Sequence, residues 1–169
     1  MNETLLQRLT IVIFSYNRHE YLKRTIKYWS KLNVKLLVLD GSDTKLDDPC
    51  TNQNNTKYIY DQRDLYNRLL SSINHINTEF MILSCDDEFY LPSALSECIK
   101  FLIKNSDFSS CGGCALSFRT SNKDVLGAIE YPNLKNLCLN HNDFSSRIKS
   151  HFNNYVPAHL YSVVRSSKW

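Results

Sequence analysis

The chain has 169 residues, 43% hydrophobic, 22% charged and 12% aromatic, enough apolar content for one globular domain and too much for a disordered chain. No stretch approaches the roughly 20 apolar residues of a membrane span, and residues 1–10 lack the apolar core of a signal peptide, so a cytoplasmic address is expected. A net charge of +3, with 20 basic residues scattered along the chain, argues against nucleic acid as a partner and leaves a small anion open.

Residues 9–14 (LTIVIF) are a continuous apolar, β-branched run and predict a strand buried on both faces. Asn17 with Glu20 three residues later predicts a capping box, after which Leu22, Ile26, Trp29 and Leu32 recur at helical spacing. Residues 34–39 predict a second strand ending at Asp40-Gly41-Ser42-Asp43, residues 44–56 a polar loop, and residues 57–60 a short third strand. Leu65, Leu69, Ile73 and Ile76 form the next helical stripe, residues 79–85 (EFMILSC) the next buried strand, and Leu95, Cys98, Ile99 and Leu102 a helix opened by Pro92 and Ser93. Beyond residue 110 the pattern changes. Residues 114–118 and 125–129 flank a turn at 121–124 and predict a hairpin, residues 144–152 a helix, and residues 159–165 a last strand.

The six cysteines are read as reduced thiols, several within apolar runs where a thiol behaves as a small hydrophobe. Cys111-Gly-Gly-Cys114 has C-x-x-C spacing, but it has neither the second pair of a zinc site nor the strand-then-helix context of a redox pair.

Strands alternating with helices at this interval predict right-handed crossovers and a mostly parallel α/β sheet with flanking helices. Such a sheet sends the carboxyl ends of its strands to one edge, where open α/β folds bind ligands. The residues just past those ends are Ser15-Tyr16-Asn17-Arg18, Asp40-Gly41-Ser42, Asp61 to Arg63 and Asp86-Asp87-Glu88. Three adjacent acids at a buried strand end require compensation by something positive. Oxygen-only ligands suit Mg²⁺ or Mn²⁺, and in an extended or turning segment Asp86 and Glu88 are expected to project to one side, with Asp87 pointing elsewhere. A solvated turn or a cap for the helix near Pro92 is the competing reading. Asp40 is suited to a hydrogen bond from a base or ribose, and equally to an Asx turn with Gly41.

The string TIVIFSYNRHEYLKRTIKYW, the VLDGSD turn and ILSCDDEFYLP together resemble an inverting glycosyltransferase of the GT-A fold, family 2 type, over residues 9–120. The resemblance implies a single Rossmann-like, nucleotide-diphospho-sugar transferase domain over residues 1–169. Its donor-binding core would span about 9–120 and a partial acceptor-side region 121–169, so that the chain is expected to be a portion of a larger protein. It implies that Ser15, Tyr16, Asn17 and Arg18 lie near the nucleotide, that Asp40, Gly41 and Ser42 meet the base, and that Arg63 or Arg68 holds nucleotide or phosphates. Asp86 and Asp87 would face the donor, and Asp86 with Glu88 a Mn²⁺ or Mg²⁺ ion. Phe14 stands where the family commonly has proline, and Glu88 replaces an aspartate.

The implied donor is a UDP- or GDP-sugar. The implied acceptor is a saccharide or a lipid-linked sugar, the latter with peripheral association at a membrane. The acceptor's proton requires a carboxylate base, for which Asp143 is the acidic candidate, with helix N-capping as its alternative; His151 and His159 are weaker candidates, and Arg165 on the last strand is a candidate to face the phosphates. A sugar nucleotidyltransferase, which normally carries a glycine-rich phosphate loop absent from SYNR, and a non-catalytic nucleotide- or partner-binding α/β module are the rival readings.

Overall fold

The apolar runs become the strands of one sheet. In the computed structural model, which describes residues 3–121, 124–135, 137–153 and 155–169, β1 (Leu9–Ser15), β2 (Lys35–Asp40), β3 (Thr56–Tyr60) and β4 (Phe80–Cys85) are all parallel. The sheet continues with two short antiparallel strands, β5 (Ser110–Cys111) and β8 (Val163–Arg165), in the order β3-β2-β1-β4-β8-β5. The order 3-2-1-4 of the parallel strands is the first four of the doubly wound order 3-2-1-4-5-6, so the expected Rossmann-like α/β class holds.

Alternation along the buried strands feeds two layers. Ile11, Ile13, Leu36, Val38, Phe80 and Ile82 share one core cluster with Leu6 of α1 (Glu3–Leu6), with Leu22, Ile26 and Trp29 of α2 (His19–Trp29), and with Leu95, Ile99 and Leu102 of α4 (Pro92–Lys104). Val12, Leu37, Leu39, Met81 and Leu83 are buried on the opposite face, where α3 (Leu65–Ser72) packs against β2. Among the described residues no helix is long and apolar enough to cross a membrane.

Two helices depart from their expected faces. α3 buries Arg68 and Ser72 and exposes Leu65 and Ile73 of its predicted stripe, because the guanidinium of Arg68 is drawn under the ends of β1 and β2. α2 has Arg18 as its N-cap, without a side-chain capping bond. The expected Asn17–Glu20 capping box does not form, since Asn17 lies in the left-handed region (φ 55°) with its side chain turned to Asp43.

By internal contacts the chain divides into two units, Met1–Cys111 with Val163–Trp169, and Gly112–Ser162. The second contains the antiparallel hairpin of β6 (Ala115–Ser121) and β7 (Asp124–Glu130), and α5 (Phe144–Asn153), none of whose side chains is buried. Asn122 and Lys123 of the expected turn lie outside the described residues. The expected last strand, residues 159–165, is a 3₁₀ turn (Pro157–Tyr161) followed by β8. Cys111 meets Cys98 of α4 as a thiol pair, and none of the six cysteines is in a disulfide.

Candidate functional site

Ser15 stands at the centre of the sheet's carboxyl edge. It ends β1, is the register partner of Asp40 on β2, and donates its hydroxyl to Asp86 Oδ2 at 2.6 Å. Parallel pairing therefore places Asp40 and Asp86 on either side of one serine, at one edge.

Asp40 is fully buried. Its Oδ1 accepts the Ser42 N–H at 2.9 Å and the Ser42 hydroxyl at 2.5 Å, and its Oδ2 accepts the Tyr58 hydroxyl at 2.5 Å and lies 3.4 Å from His19 Nε2. With both oxygens engaged, the carboxylate shapes the turn that follows it. Burial and the Asp40 carboxylate push the Tyr58 phenol up, which keeps it a donor.

Gly41 is required by close approach. A Cβ there would fall 2.3 Å from Arg68 Cζ, and Arg68 Nη1 donates to the carbonyls of Ser15 and Leu39, each at 3.0 Å. The Ser15 carbonyl also accepts the Gly41 N–H at 3.0 Å, so Arg68 reaches in from α3 as a second donor at the ends of β1 and β2. Ser42, also buried, accepts the Asn17 N–H at 2.8 Å. Asn17 and Asp43 exchange two further bonds, Asn17 Nδ2 to Asp43 Oδ2 at 2.8 Å and Asp43 N–H to Asn17 Oδ1 at 2.9 Å. The exposed Tyr16 donates its hydroxyl to Asp43 Oδ1 at 3.2 Å. Sequence reasoning picked Ser15 to Arg18 and Asp40 to Ser42 but passed over Asp43, Tyr58 and Thr25. Asp43 carried a signal as the second acid of the Asp-Gly-Ser-Asp turn; Tyr58 and Thr25 meet partners 18 and 61 residues away and carried none.

The acidic turn differs from its expected arrangement. Asp86 and Asp87 form a turn rather than continuing the strand, so alternation stops and it is these two that converge. Arg18 Nη1 lies 3.2 Å from Asp86 Oδ1 and its Nη2 donates to Asp87 Oδ2 at 2.7 Å. Glu88, expected beside Asp86, turns back and accepts the Cys85 N–H at 2.9 Å. Thr25 of α2 pins the turn through the Asp86 carbonyl at 2.5 Å. Burial raises the Asp86 carboxyl above the ordinary range against the opposing effects of Ser15 and Arg18, and burial likewise raises Glu88 against the Cys85 N–H.

The remaining candidates are more dispersed. Arg63 is paired with Asp61, its Nε donating to Oδ1 and Oδ2 at 3.0 and 2.9 Å, and this contact holds the Asp61 carboxyl below its usual range. Asp143, in the second unit, caps α5 by accepting the Ser146 N–H at 2.7 Å, which lowers its carboxyl. His151 and His159 face each other with Nδ1 atoms 3.3 Å apart. Arg165 pairs in register with Phe80, the first residue of β4, and donates to the carbonyls of Phe108 and Leu102 near the end of α4. It belongs to the edge opposite the acidic turn and does not face phosphates there.

Six carboxylates (Asp40, Asp43, Asp61, Asp86, Asp87 and Glu88) stand with three guanidiniums (Arg18, Arg63 and Arg68) along this rim. Beside it a cavity of about 400 Å³ is lined by Asn17, Arg18, His19, Glu20, Tyr21 and Thr44, at the N-terminus of α2 where no side chain caps the helix. Such a terminus favours an anion. Among the described residues no three His, Cys, Asp or Glu side chains converge as a closed metal cage. A hard divalent ion needs no such cage, taking one or two carboxylates with waters and substrate phosphates. Asp86 Oδ1 and Asp87 Oδ2 both bond the Arg18 guanidinium, through different nitrogens, and are the carboxylates of this turn that could hold such an ion.

No family model and no curated protein matches the sequence. Among solved structures the chain is similar to S. aureus TarS, at 14% identity over 57% of this chain and 19% of that one with a TM-score of 0.46. It is also similar to S. aureus TarS 1-349, at 12% identity over 64% and 34% with a TM-score of 0.48. The bifunctional IspDF from Campylobacter jejuni matches at 13% identity over 84% and 47%, with a TM-score of 0.34. The chain thus spans only a minor part of the TarS chains.

Proposed function

We propose that this chain binds a nucleotide-diphosphate sugar at the carboxyl edge of its parallel sheet and transfers the sugar to an acceptor hydroxyl with inversion. The observation that supports the reading is the convergence at Ser15: Asp40 and its turn on one side, Asp86 and Asp87 on the other, at the crevice where open α/β sheets receive nucleotides. The turn Gly41-Ser42-Asp43, held by Asp40, forms the base and ribose side. The cavity at the start of α2 and Arg18 form the diphosphate side. Asp86 and Asp87 are the residues to hold a divalent ion, which when bound neutralises charge developing on the departing diphosphate.

In the transfer, the acceptor oxygen forms a bond to the anomeric carbon while that carbon's bond to the phosphate oxygen breaks, and a base takes the acceptor's proton. The chain's own part is to orient the donor and to screen the leaving group. A rim carrying twice as many carboxylates as guanidiniums repels a diphosphate unless a further cation arrives, so nucleotide binding is expected to require the metal.

Calorimetry with UDP or GDP, with and without Mn²⁺, tests this. The expected result is binding that needs Mn²⁺ and is lost in Asp86→Ala and Asp87→Ala, with Glu88→Ala less affected because its carboxylate serves the Cys85 N–H. Metal-independent binding, or none to either nucleotide, contradicts the proposal. A screen of nucleotide-sugars for Mn²⁺-dependent hydrolysis then separates a transferase from a module that binds without turnover.

A further inference from the structure

Arg18 occupies an unusual position for a phosphate-binding residue. Its guanidinium bridges two carboxylates, Asp86 Oδ1 at 3.2 Å and Asp87 Oδ2 at 2.7 Å, and lies 4.3 Å from the centroid of the Tyr21 ring. Asp86 is buried while Asp87 and the Arg18 head are partly open to solvent. The backbone at Arg18 is fixed, because the preceding Asn17 is bonded to Ser42 and Asp43, and the side chain's long stem is the part free to swing. In that same position the guanidinium rests on the Tyr21 ring, which Arg24 shares at 4.8 Å.

While it bonds Asp86 Oδ1 and Asp87 Oδ2, the guanidinium holds a positive charge where a divalent ion would approach those oxygens, and the two cations repel each other there. We infer that Arg18 is a resident counter-cation: it holds Asp86 and Asp87 while the site is empty, yields them to the divalent ion, and turns onto the diphosphate when the nucleotide arrives. The inference rests on the transferase reading and concerns the regulation of that site. It has a thermodynamic consequence. Metal alone must evict Arg18 from its partners, whereas metal with nucleotide offers Arg18 new anionic partners. Binding of the two is therefore positively coupled beyond direct metal–phosphate contact, and the coupling is reciprocal. A guanidinium is suited to both places, since its planar fork matches carboxylate and phosphate alike.

The test measures Mn²⁺ affinity by electron paramagnetic resonance, without nucleotide and with saturating UDP or GDP, in wild type, Arg18→Ala, Arg18→Lys and Arg24→Ala. Arg24→Ala removes a nearby positive charge that touches Tyr21 but neither acid, and so reports the general electrostatic effect. The expected result is that Arg18→Ala binds nucleotide-free Mn²⁺ about tenfold more tightly, clearly beyond Arg24→Ala, and loses a similar factor of metal–nucleotide coupling. Arg18→Lys, which keeps the charge but cannot bridge both acids, should fall between and keeps the test available if Arg18→Ala folds poorly. Nucleotide-free Mn²⁺ affinity that is unchanged in Arg18→Ala, or changed only as in Arg24→Ala, overturns the inference while leaving the transferase reading intact. A wild type that binds neither nucleotide in the presence of Mn²⁺ overturns the transferase reading itself.

Discussion

At the level of single residues the rim is held by contacts in which one atom's space is another's partner. Gly41 leaves room for Arg68, and Arg68 in turn donates to the carbonyls of Ser15 and Leu39. In Gly41→Ala the guanidinium must shift and surrender at least one of those bonds, a cost of about 1–3 kcal/mol by the measure of overpacked sites. Thermal denaturation should show the loss, and it should be non-additive with Arg68→Ala, since removing the guanidinium removes the clash. Additive effects would mean that the two do not meet. Asp86 gives a prediction of opposite sign. Its folded-state carboxyl is raised above the unfolded one by burial, so its contribution to stability is fully present below the unfolded carboxylate range and is lost as pH rises through the folded value. Asp86→Asn should therefore melt higher than wild type at pH 7, by about 1–3 °C, and the gap should close as pH falls through the carboxylate range. A gap that widens on acidification would contradict the assignment of burial as the dominant cause.

Among the elements, the strands were legible and the helix details were not, for a physical reason. A strand buried on both faces needs a continuous apolar run, and the runs at 9–14, 34–39 and 79–85 can serve little else. Asn17 and Glu20 made a plausible capping box by spacing alone, but Asn17's partner is Asp43, 26 residues away, and local spacing carries no information about that. α3 shows the same limit. Its apolar stripe suggested a buried face, yet the helix buries Arg68 and Ser72 and leaves Leu65 and Ile73 of that stripe exposed, with Leu70, outside the stripe, half exposed as well. Replacing Leu70 by Lys should consequently change stability by no more than about 0.5 kcal/mol. Trp29→Ala, which empties a fully buried position on α2, should cost about 3–5 kcal/mol. Chemical denaturation of the two variants checks both figures, and a large loss in Leu70→Lys would place that face in the core.

Over the whole molecule the four turns come to one rim because the strands that deliver them are parallel, and that much followed from the alternation of strand and helix. What did not follow is how the sheet is completed. β8 lies between β4 and β5, and Arg165 ties it to the end of α4, so the last seven residues belong to the first unit although a second unit intervenes in sequence. Without them β4 becomes an edge strand with unpaired backbone groups at its amino end. Deleting residues 163–169 is expected to abolish cooperative unfolding of the remaining chain or to drive it into aggregates, as seen by light scattering and circular dichroism. A truncated chain that melts as sharply as the intact one would show that β8 is dispensable.

The central claim is that a nucleoside diphosphate and a divalent ion share the rim around Ser15. Paramagnetic broadening of amide resonances by Mn²⁺ in a ¹⁵N-labelled sample, with UDP or GDP present, reads the location directly. The account predicts selective loss of signal for residues 15–18, 41–43 and 86–88, with the amides of Glu79 and Arg165 at the opposite edge of the sheet retained. Broadening centred elsewhere, or none that depends on the nucleotide, would contradict it.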